Sequence, residues 1–426
     1  MFNALIKSRA ARDVLVLAGG RFGAALVGLV TAPFIARLFE PSDFGVVAFF
    51  VVIATLASQL LPLSYPNAIS IPKADGDAKA IVRIALYASI GLACVLYLVL
   101  FTLYIMGWVS PVAAQLGLWE WLVPVAALML AVSLICEGWL TRTRGFAASA
   151  RAAFSQALVT AGGRLGLGLM WGSSVWGLVV PYIAGAALQL GILARASWST
   201  RKPDTPPSEI SVVARGYSEF PKYNLPAGFL RALSENLPVI FFAPVFGVAA
   251  AGLYAMADRL IKMPLTLGAQ SVRRVYLQRA SVIVHRDGDL KSSYVRVTGW
   301  LMLLGLPPTL LLMMAGESML RLLLGERWAQ AGAFVEILSP LFYVMLVSRP
   351  ATALVDLLRK QRLWLRIQMA SSLFRAIAMV LAWQLWGTQI SVLWGFVVAG
   401  MFPYMWCMLH IYSSVDVQEG SRDLPN

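Results

Sequence analysis

Residues 44–65 read FGVVAFFVVIATLASQLLPLSY, a run without a single Asp, Glu, Lys or Arg. A helix needs about 20 such residues to cross a bilayer, whose core offers no water to the backbone, so each N–H and C=O must be satisfied within the segment. This run meets that length. Working outward from it, apolar stretches of similar size recur at about 14–36, 81–106, 121–140, 152–171, 176–194, 226–246, 251–272, 294–316, 331–352, 365–386 and 389–412. With 44–65 they predict an all-α polytopic membrane protein of twelve transmembrane helices.

The cations orient these spans. Of the 35 Lys and Arg, 25 fall on the termini and connections sharing a side with the N-terminus, counting Arg83, Arg296 and Arg366 at span edges with those connections. Three (Arg37, Arg321 and Arg327) fall opposite, and seven lie inside spans. By the positive-inside rule the crowded side is cytoplasmic, and both termini are expected there. A chain with 59% hydrophobic and 13% charged residues is too apolar for a soluble domain of this length. Its net charge of +14 is spread over many cytoplasmic segments, which argues for contact with anionic lipid and against a nucleic-acid partner. Lys7, Arg9 and Arg12 precede an apolar segment as in a signal peptide. That segment carries Arg21 and runs into Arg37-Leu38-Phe39-Glu40-Pro41 with no small-residue cleavage site, so it reads as the first anchor.

The longest polar stretch, between Ala196 and Leu225, is rich in Pro, Ser and charge and reads as a cytoplasmic linker. It divides the chain into an N-terminal six-helix lobe (1–195), the linker (196–225), a C-terminal six-helix lobe (226–412) and a cytoplasmic tail (413–426). The halves echo each other. Phe39-Glu40-Pro41-Ser42-Asp43-Phe44-Gly45-Val46-Val47-Ala48 aligns with Phe246-Gly247-Val248-Ala249-Ala250-Ala251-Gly252-Leu253-Tyr254-Ala255 at a constant offset of 207, matching Phe, Gly and Ala. Trp171-Gly172 and Trp176-Gly177 likewise echo Trp386-Gly387 and Trp394-Gly395. Both echoes fall at equivalent outer turns in the same order, the mark of two parallel repeats, an arrangement common among transporters.

Catalysis finds little support. The outer connections, roughly 37–43, 107–120, 172–175, 247–250, 317–330 and 387–388, are short and hold few acid, base or nucleophile groups. His285 and His410 lie at cytoplasmic helix ends, where a solvated or interfacial role is expected. No Gly-Lys-Ser or Gly-Lys-Thr closes a phosphate-binding loop, so ATP hydrolysis is not expected, and neither is any cofactor. Cys94, Cys136 and Cys407 sit in apolar spans without paired spacing, so no disulfide or metal site is expected.

Charges inside hydrocarbon cost several kcal/mol unless they face a wet cavity or a partner. Here they are Arg21, Glu137, Arg164, Arg231, Glu235, Asp258, Arg259, Lys262, Glu336, Arg349 and Arg375. Arg231 and Glu235, and Asp258 and Lys262, stand at i, i+4 and are placed to neutralise each other. Glu137 and Arg349 lie near cytoplasmic ends, where they can snorkel. Arg164 and Arg375 sit near mid-depth on the fifth span of each half with no carboxylate within a turn, and Arg21 is similar on the first span. Seven cations against four carboxylates favour an anionic ligand, and the guanidinium fork suits phosphate. Pro33, Pro62, Pro238, Pro264 and Pro340 fall inside spans and predict kinks that let lobes rock. Trp108, Trp119, Trp121, Trp171, Trp176, Trp386 and Trp394 gather by the outer turns as an interfacial belt.

The stretch SENLPVIFFAPVFGVAAAGLYAMADRLIKMPLTLGAQSVRRVYLQRAS (234–281) resembles the seventh and eighth helices of the polysaccharide-export branch of the MOP (multidrug/oligosaccharidyl-lipid/polysaccharide) superfamily. GGRFGAALVGLVTAPFIARLFEPSDFGVVAFF (19–50) resembles the first two helices of its Wzx-type, O-antigen and lipopolysaccharide flippases. The resemblance implies a flippase that carries an undecaprenyl-pyrophosphate-linked glycan repeat unit from the cytoplasmic to the periplasmic leaflet of the inner membrane. It implies two lobes alternating around a cationic cavity, with polysaccharide polymerase and assembly proteins as partners. By helix position the cavity arginines would be Arg21, Arg164, Arg231, Arg259 and Arg375, and Glu235, Asp258 and Glu336 are the candidates for ion coupling. Relatives of the lipid II flippase type carry two further C-terminal helices, which this reading of twelve spans lacks. The rivals are a MATE-type exporter, for which a carboxylate-dominated cavity would be expected, and a membrane scaffold for glycan-assembly enzymes.

Overall fold

The structure, a computed structural model, describes residues 9–107, 116–200, 208–285, 289–358 and 361–420. Helix accounts for 91% of the described residues, which contain no strand. In the first half the helices are α1 (Arg9–Leu38), α2 (Pro41–Leu60), α3 (Asp75–Ile105), α4 (Val123–Arg142), α5 (Phe146–Trp171), α6 (Val175–Ser199) and the short α7 (Ile210–Gly216). There follow α8 (Leu225–Phe246), α9 (Val248–His285), α10 (Leu290–Leu324), α11 (Ala329–Val347), α12 (Arg349–Leu357), α13 (Gln361–Trp386) and α14 (Gln389–Gly420).

Among the described residues, ten helical segments are long and apolar enough to cross a membrane. The other two expected spans, 152–171 and 251–272, also fall on helices, α5 and α9. Their composition explains why they stand apart: α5 is rich in Ala and Gly and carries Arg151 and Arg164, and α9 carries Asp258, Arg259 and Lys262.

Internal contacts divide the chain into two compact units, Met1–Gly252 and Leu253–Asn426. The division falls one helix beyond the 196–225 linker, because α8 packs on α2 within the first unit. Small residues set the close packing there. A Cβ on Gly20 of α1 would overlap Ala150 of α5, and one on Gly23 would come within 3.1 Å of the Phe154 ring. Phe39 is fully buried, and Cβ atoms on Gly168 or Gly177 would each lie 2.8 Å from its ring. With no hydrophobic force between helices in lipid, such close dispersion contacts hold them together.

Pro62 is not the expected kink within a span. It lies beyond the end of α2 at Leu60: Leu61 still holds helical dihedrals, and the missing N–H of Pro62 removes the next bond of the helical ladder. The chain then turns through Leu63 and Ser64 at positive φ into a 3-10 turn, Tyr65–Ala68. Pro33, Pro238 and Pro340 lie inside α1, α8 and α11, and Pro264 within α9. The second half of the linker is folded: Val213 of α7 is buried with Tyr65, Ile69, Ile81 and Trp139. Ser208 ties it to α3 by donating its hydroxyl to Asp77 and its backbone N–H to the Gly76 carbonyl at 3.2 Å.

In the second unit, α10 and α11 pack through a glycine pair. A Cβ on Gly316 would lie 2.9 Å from the Gly332 oxygen, and one on Gly332 would lie 2.6 Å from the Gly316 oxygen. α10 runs to Leu324, so part of the expected 317–330 connection is helical. Its end is closed by Arg321, which pairs with Glu317 at 2.8 Å and Glu326 at 3.2 Å.

Candidate functional site

Arg164 and Arg375 are each only 7% exposed. Both are held by carbonyl oxygens of the next helix in sequence. Arg164 of α5 donates Nε–H to Leu178 of α6 at 3.3 Å, and Tyr182 stands within electrostatic reach. Arg375 of α13 donates from Nη2 to Gly400 of α14 at 3.4 Å and stacks 5.0 Å above the Phe396 ring. Gly400 makes that approach feasible, since a Cβ there would lie 2.9 Å from Nε and 3.0 Å from Nη2. Nε of Arg375 is buried with no hydrogen-bond partner among the described residues. A buried guanidinium bonded only through long contacts is under-satisfied, and an incoming anion would be well placed to complete its donors.

Around Arg375, in the same unit, lies a second group. Asp258 of α9 pairs with Lys262 at 2.8 Å, and the Tyr254 hydroxyl donates to the other Asp258 oxygen at 3.4 Å. Arg375 acts electrostatically on Tyr254, so Tyr254, Asp258, Lys262 and Arg375 form one cluster. The i, i+4 spacing found Asp258 and Lys262. Tyr254 escaped notice, because an aromatic residue in a membrane helix carries no signal of its own until the carboxylate one turn on is seen to bond it.

The remaining candidates are arranged differently. Arg21 of α1 is exposed and lies within electrostatic reach of Glu137 of α4. Arg231 and Glu235 of α8 are both exposed, and no ion pair joins them despite their spacing, so that expected neutralisation is corrected. On an exposed face, the entropy of fixing two long side chains offsets the attraction. Arg259 is half-buried on α9. Glu336 of α11 accepts the backbone N–H of Glu317 at 3.0 Å, beside the Gly316–Gly332 contact, which gives it a bracing role between α10 and α11. Of the expected titratable groups, His410 stacks on Trp406, with ring centroids 5.3 Å apart. Tyr276, beyond the expected eighth span, has its phenol pushed up to about 12 by burial. Among the described residues no cluster of His, Cys, Asp and Glu suits a metal ion. Cys94 is exposed, while Cys136 and Cys407 are buried.

An all-helical bundle with ten long apolar helices among the described residues defines a multi-pass membrane protein. Residues 34–333 match the sequence profile of the polysaccharide biosynthesis protein family, more than half of the chain, and the chain belongs to that family. The fold is also that of the MOP superfamily. The lipid II flippase MurJ in its inward closed conformation is similar with a TM-score of 0.73 at 11% identity, covering 97% of this chain and 94% of the other. An inward-facing multidrug resistance MATE family transporter matches with a TM-score of 0.66 at 14% identity over 95% of each chain. An outward-facing MATE family transporter matches at 0.61 and 13% identity over 98% of each. No curated protein matches the sequence.

Proposed function

We propose that this protein is a flippase that moves an undecaprenyl-pyrophosphate-linked oligosaccharide repeat unit from the cytoplasmic to the periplasmic leaflet of a bacterial inner membrane. Transport proceeds by alternating access and draws on an ion gradient. The lobes are 1–195 and 226–412, joined by the 196–225 linker, and twelve helices cross the membrane with both termini in the cytoplasm. The observation that carries this reading is the buried Arg375, whose Nε lacks a partner and whose other bond is long. Arg164 stands at the matching place of the other repeat. A pyrophosphate entering from water must lose hydration, and multidentate bonds to guanidinium offset that loss. The exposed Arg21 and Arg231, with Arg259, supply further cations along the route, and Asp258 is the foremost candidate for coupling to an ion, ahead of Glu235 and Glu336. Membership of the polysaccharide biosynthesis family supports the glycan, and polymerase and assembly proteins would act downstream.

The likeness to MATE transporters favours a second reading, a small-molecule exporter. Reconstitution into vesicles separates the two. Movement of a fluorescent polyprenyl-pyrophosphate-linked sugar to the opposite leaflet, lost in the Arg164→Ala and Arg375→Ala variants, supports the flippase. Export of small organic cations with no movement of the lipid-linked sugar supports the exporter.

A further inference from the structure

One face of α13 carries a buried row at i, i+4 spacing: Ile367, Ser371, Arg375 and Met379. Two polar side chains thus adjoin in an otherwise apolar row inside the second compact unit, Ser371 at 2% exposure and Arg375 at 7%. One turn of helix sets their Cβ atoms about 5–6 Å apart. The Ser371 hydroxyl and the Arg375 Nε–H are both closed off from solvent, and neither has a hydrogen-bond partner among the described residues.

That state is unusual for a helical serine, whose hydroxyl can turn back to a carbonyl oxygen three or four residues earlier. Ser58, Ser89, Ser339 and Ser348, all buried, make this bond at 2.7, 2.7, 2.6 and 3.0 Å. Ser372, the next residue of α13, makes it to Gln368 at 2.8 Å. Ser371 does not. The first half holds a hydroxyl at the matching place, for Thr160 precedes Arg164 by four residues as Ser371 precedes Arg375, both members at an offset of 211. There the hydroxyl is satisfied: Thr160 donates to the Pro181 carbonyl oxygen of α6 at 3.4 Å, and Arg164 donates to Leu178 of the same helix. The hydroxyl and arginine therefore recur in both halves, and in the second half each keeps a donor open.

Two buried donors without an acceptor are costly, and a neighbouring pair of them suits a ligand that offers lone pairs and negative charge. The Arg375 guanidinium is already steadied by the Phe396 ring and by its bond to Gly400, so completing its donors needs little further ordering. We propose that Ser371 is a binding residue for the anion that Arg375 takes, its O–H and the Arg375 Nε–H donating together to a phosphate oxygen. The proposal rests on the transport reading above and adds a recognition residue to its site. A neutral hydroxyl adds direction to the grip without adding charge.

The test titrates the purified full chain with inorganic pyrophosphate in a chloride-free gluconate buffer, followed by calorimetry, and separately with sodium chloride. Ser371→Ala should weaken pyrophosphate binding roughly tenfold, as expected for one hydrogen bond to a charged group. Ser372→Ala, which removes the hydroxyl that already has an acceptor within its own helix, should bind as the unsubstituted protein does. Without ligand, Ser371→Ala should melt no lower than the unsubstituted protein, because it loses no bond, whereas a serine with a structural role would lower the midpoint. Undiminished pyrophosphate binding in Ser371→Ala, an equal loss in Ser372→Ala, a lowered midpoint in Ser371→Ala, or no pyrophosphate binding at all would each overturn the proposal. Binding of chloride alone, with the same dependence on Ser371, would overturn the assignment to phosphate. If pyrophosphate binding responds as expected, yet no polyprenyl-linked sugar moves in vesicles, the substrate reading fails and the Ser371–Arg375 pair stands. If the sugar moves equally well in Ser371→Ala with pyrophosphate binding unchanged, Ser371 is removed from the site and the substrate reading stands.

Discussion

The guanidinium of Arg142, at the end of α4, binds the carboxylate of Asp75, at the start of α3, at 2.9 Å. It also donates to the carbonyl oxygens of Ile69 at 3.5 Å, Pro72 at 2.5 Å and Lys73 at 3.3 Å. One cation thus gathers the whole turn between α2 and α3. The same turn is pressed against α4, where a Cβ on Gly138 would lie 2.6 Å from the Pro66 oxygen.

Replacing Arg142 with Ala should loosen residues 61–75. Asp75 is partly exposed, so the ion pair itself contributes little, and the loss comes mainly from the carbonyl oxygens left without a donor. A destabilisation of about 2 kcal/mol is expected from bonds to a charged group. Hydrogen exchange across 61–75 should accelerate in Arg142→Ala and only partly recover in Arg142→Lys, since a single ammonium lacks the planar fork. Unchanged exchange would mean the turn is held by its packing on Trp139 and Ile81.

The Asp258–Lys262 pair should tolerate exchange better than deletion. In Asp258→Lys combined with Lys262→Asp both charges persist, and the interaction is worth on the order of 1 kcal/mol or less, as for polar pairs in membrane helices. Transport should be higher in the exchanged protein than in Asp258→Ala or Lys262→Ala. If exchange is as damaging as the worse single variant, direct contact of Asp258 with a coupling ion becomes the better account. Tyr254→Phe, which removes the longer bond at 3.4 Å, should cost less than either alanine variant.

Arg164→Ala and Arg375→Ala should each abolish movement of the lipid-linked sugar while abundance in the membrane stays near normal. Lys at either site should rescue only in part, because its ammonium offers no bidentate geometry. Full transport in the double alanine protein would leave Arg21, Arg231 and Arg259 as the substrate-facing cations.

Orientation is open to direct measurement. In a chain freed of its own cysteines, Ser199→Cys should be shielded from an impermeant thiol reagent added to spheroplasts, while Leu118→Cys, 82% exposed at an expected outer turn, should react. Labelling at Ser199→Cys would reverse the topology drawn from the positive charges.

Much of the fold was legible along the chain, because lipid imposes a rule that acts residue by residue. Runs such as 44–65 must be helical, since nothing outside the segment can satisfy their backbone. The charges within them were equally plain, for they are costly wherever they fall. What those charges touch was not: Arg231 and Glu235 share the spacing of Asp258 and Lys262, yet only the second pair forms an ion pair. Spacing brings two side chains to one face, and the surroundings of that face decide whether holding them together is favourable.

Sequence alone determined the all-helical membrane class and led to the expectation of twelve spans and a duplication, because hydropathy and the offset of 207 are properties of order along the chain. Tertiary structure decided that Gly45 and Gly252 meet, that Arg375 reaches Gly400 and leaves Nε unpartnered, and that α8 joins the first compact unit. Each of these depends on distances between helices remote in sequence. A glycine records only that a side chain is missing, and it takes the packed neighbour to show what fills its place.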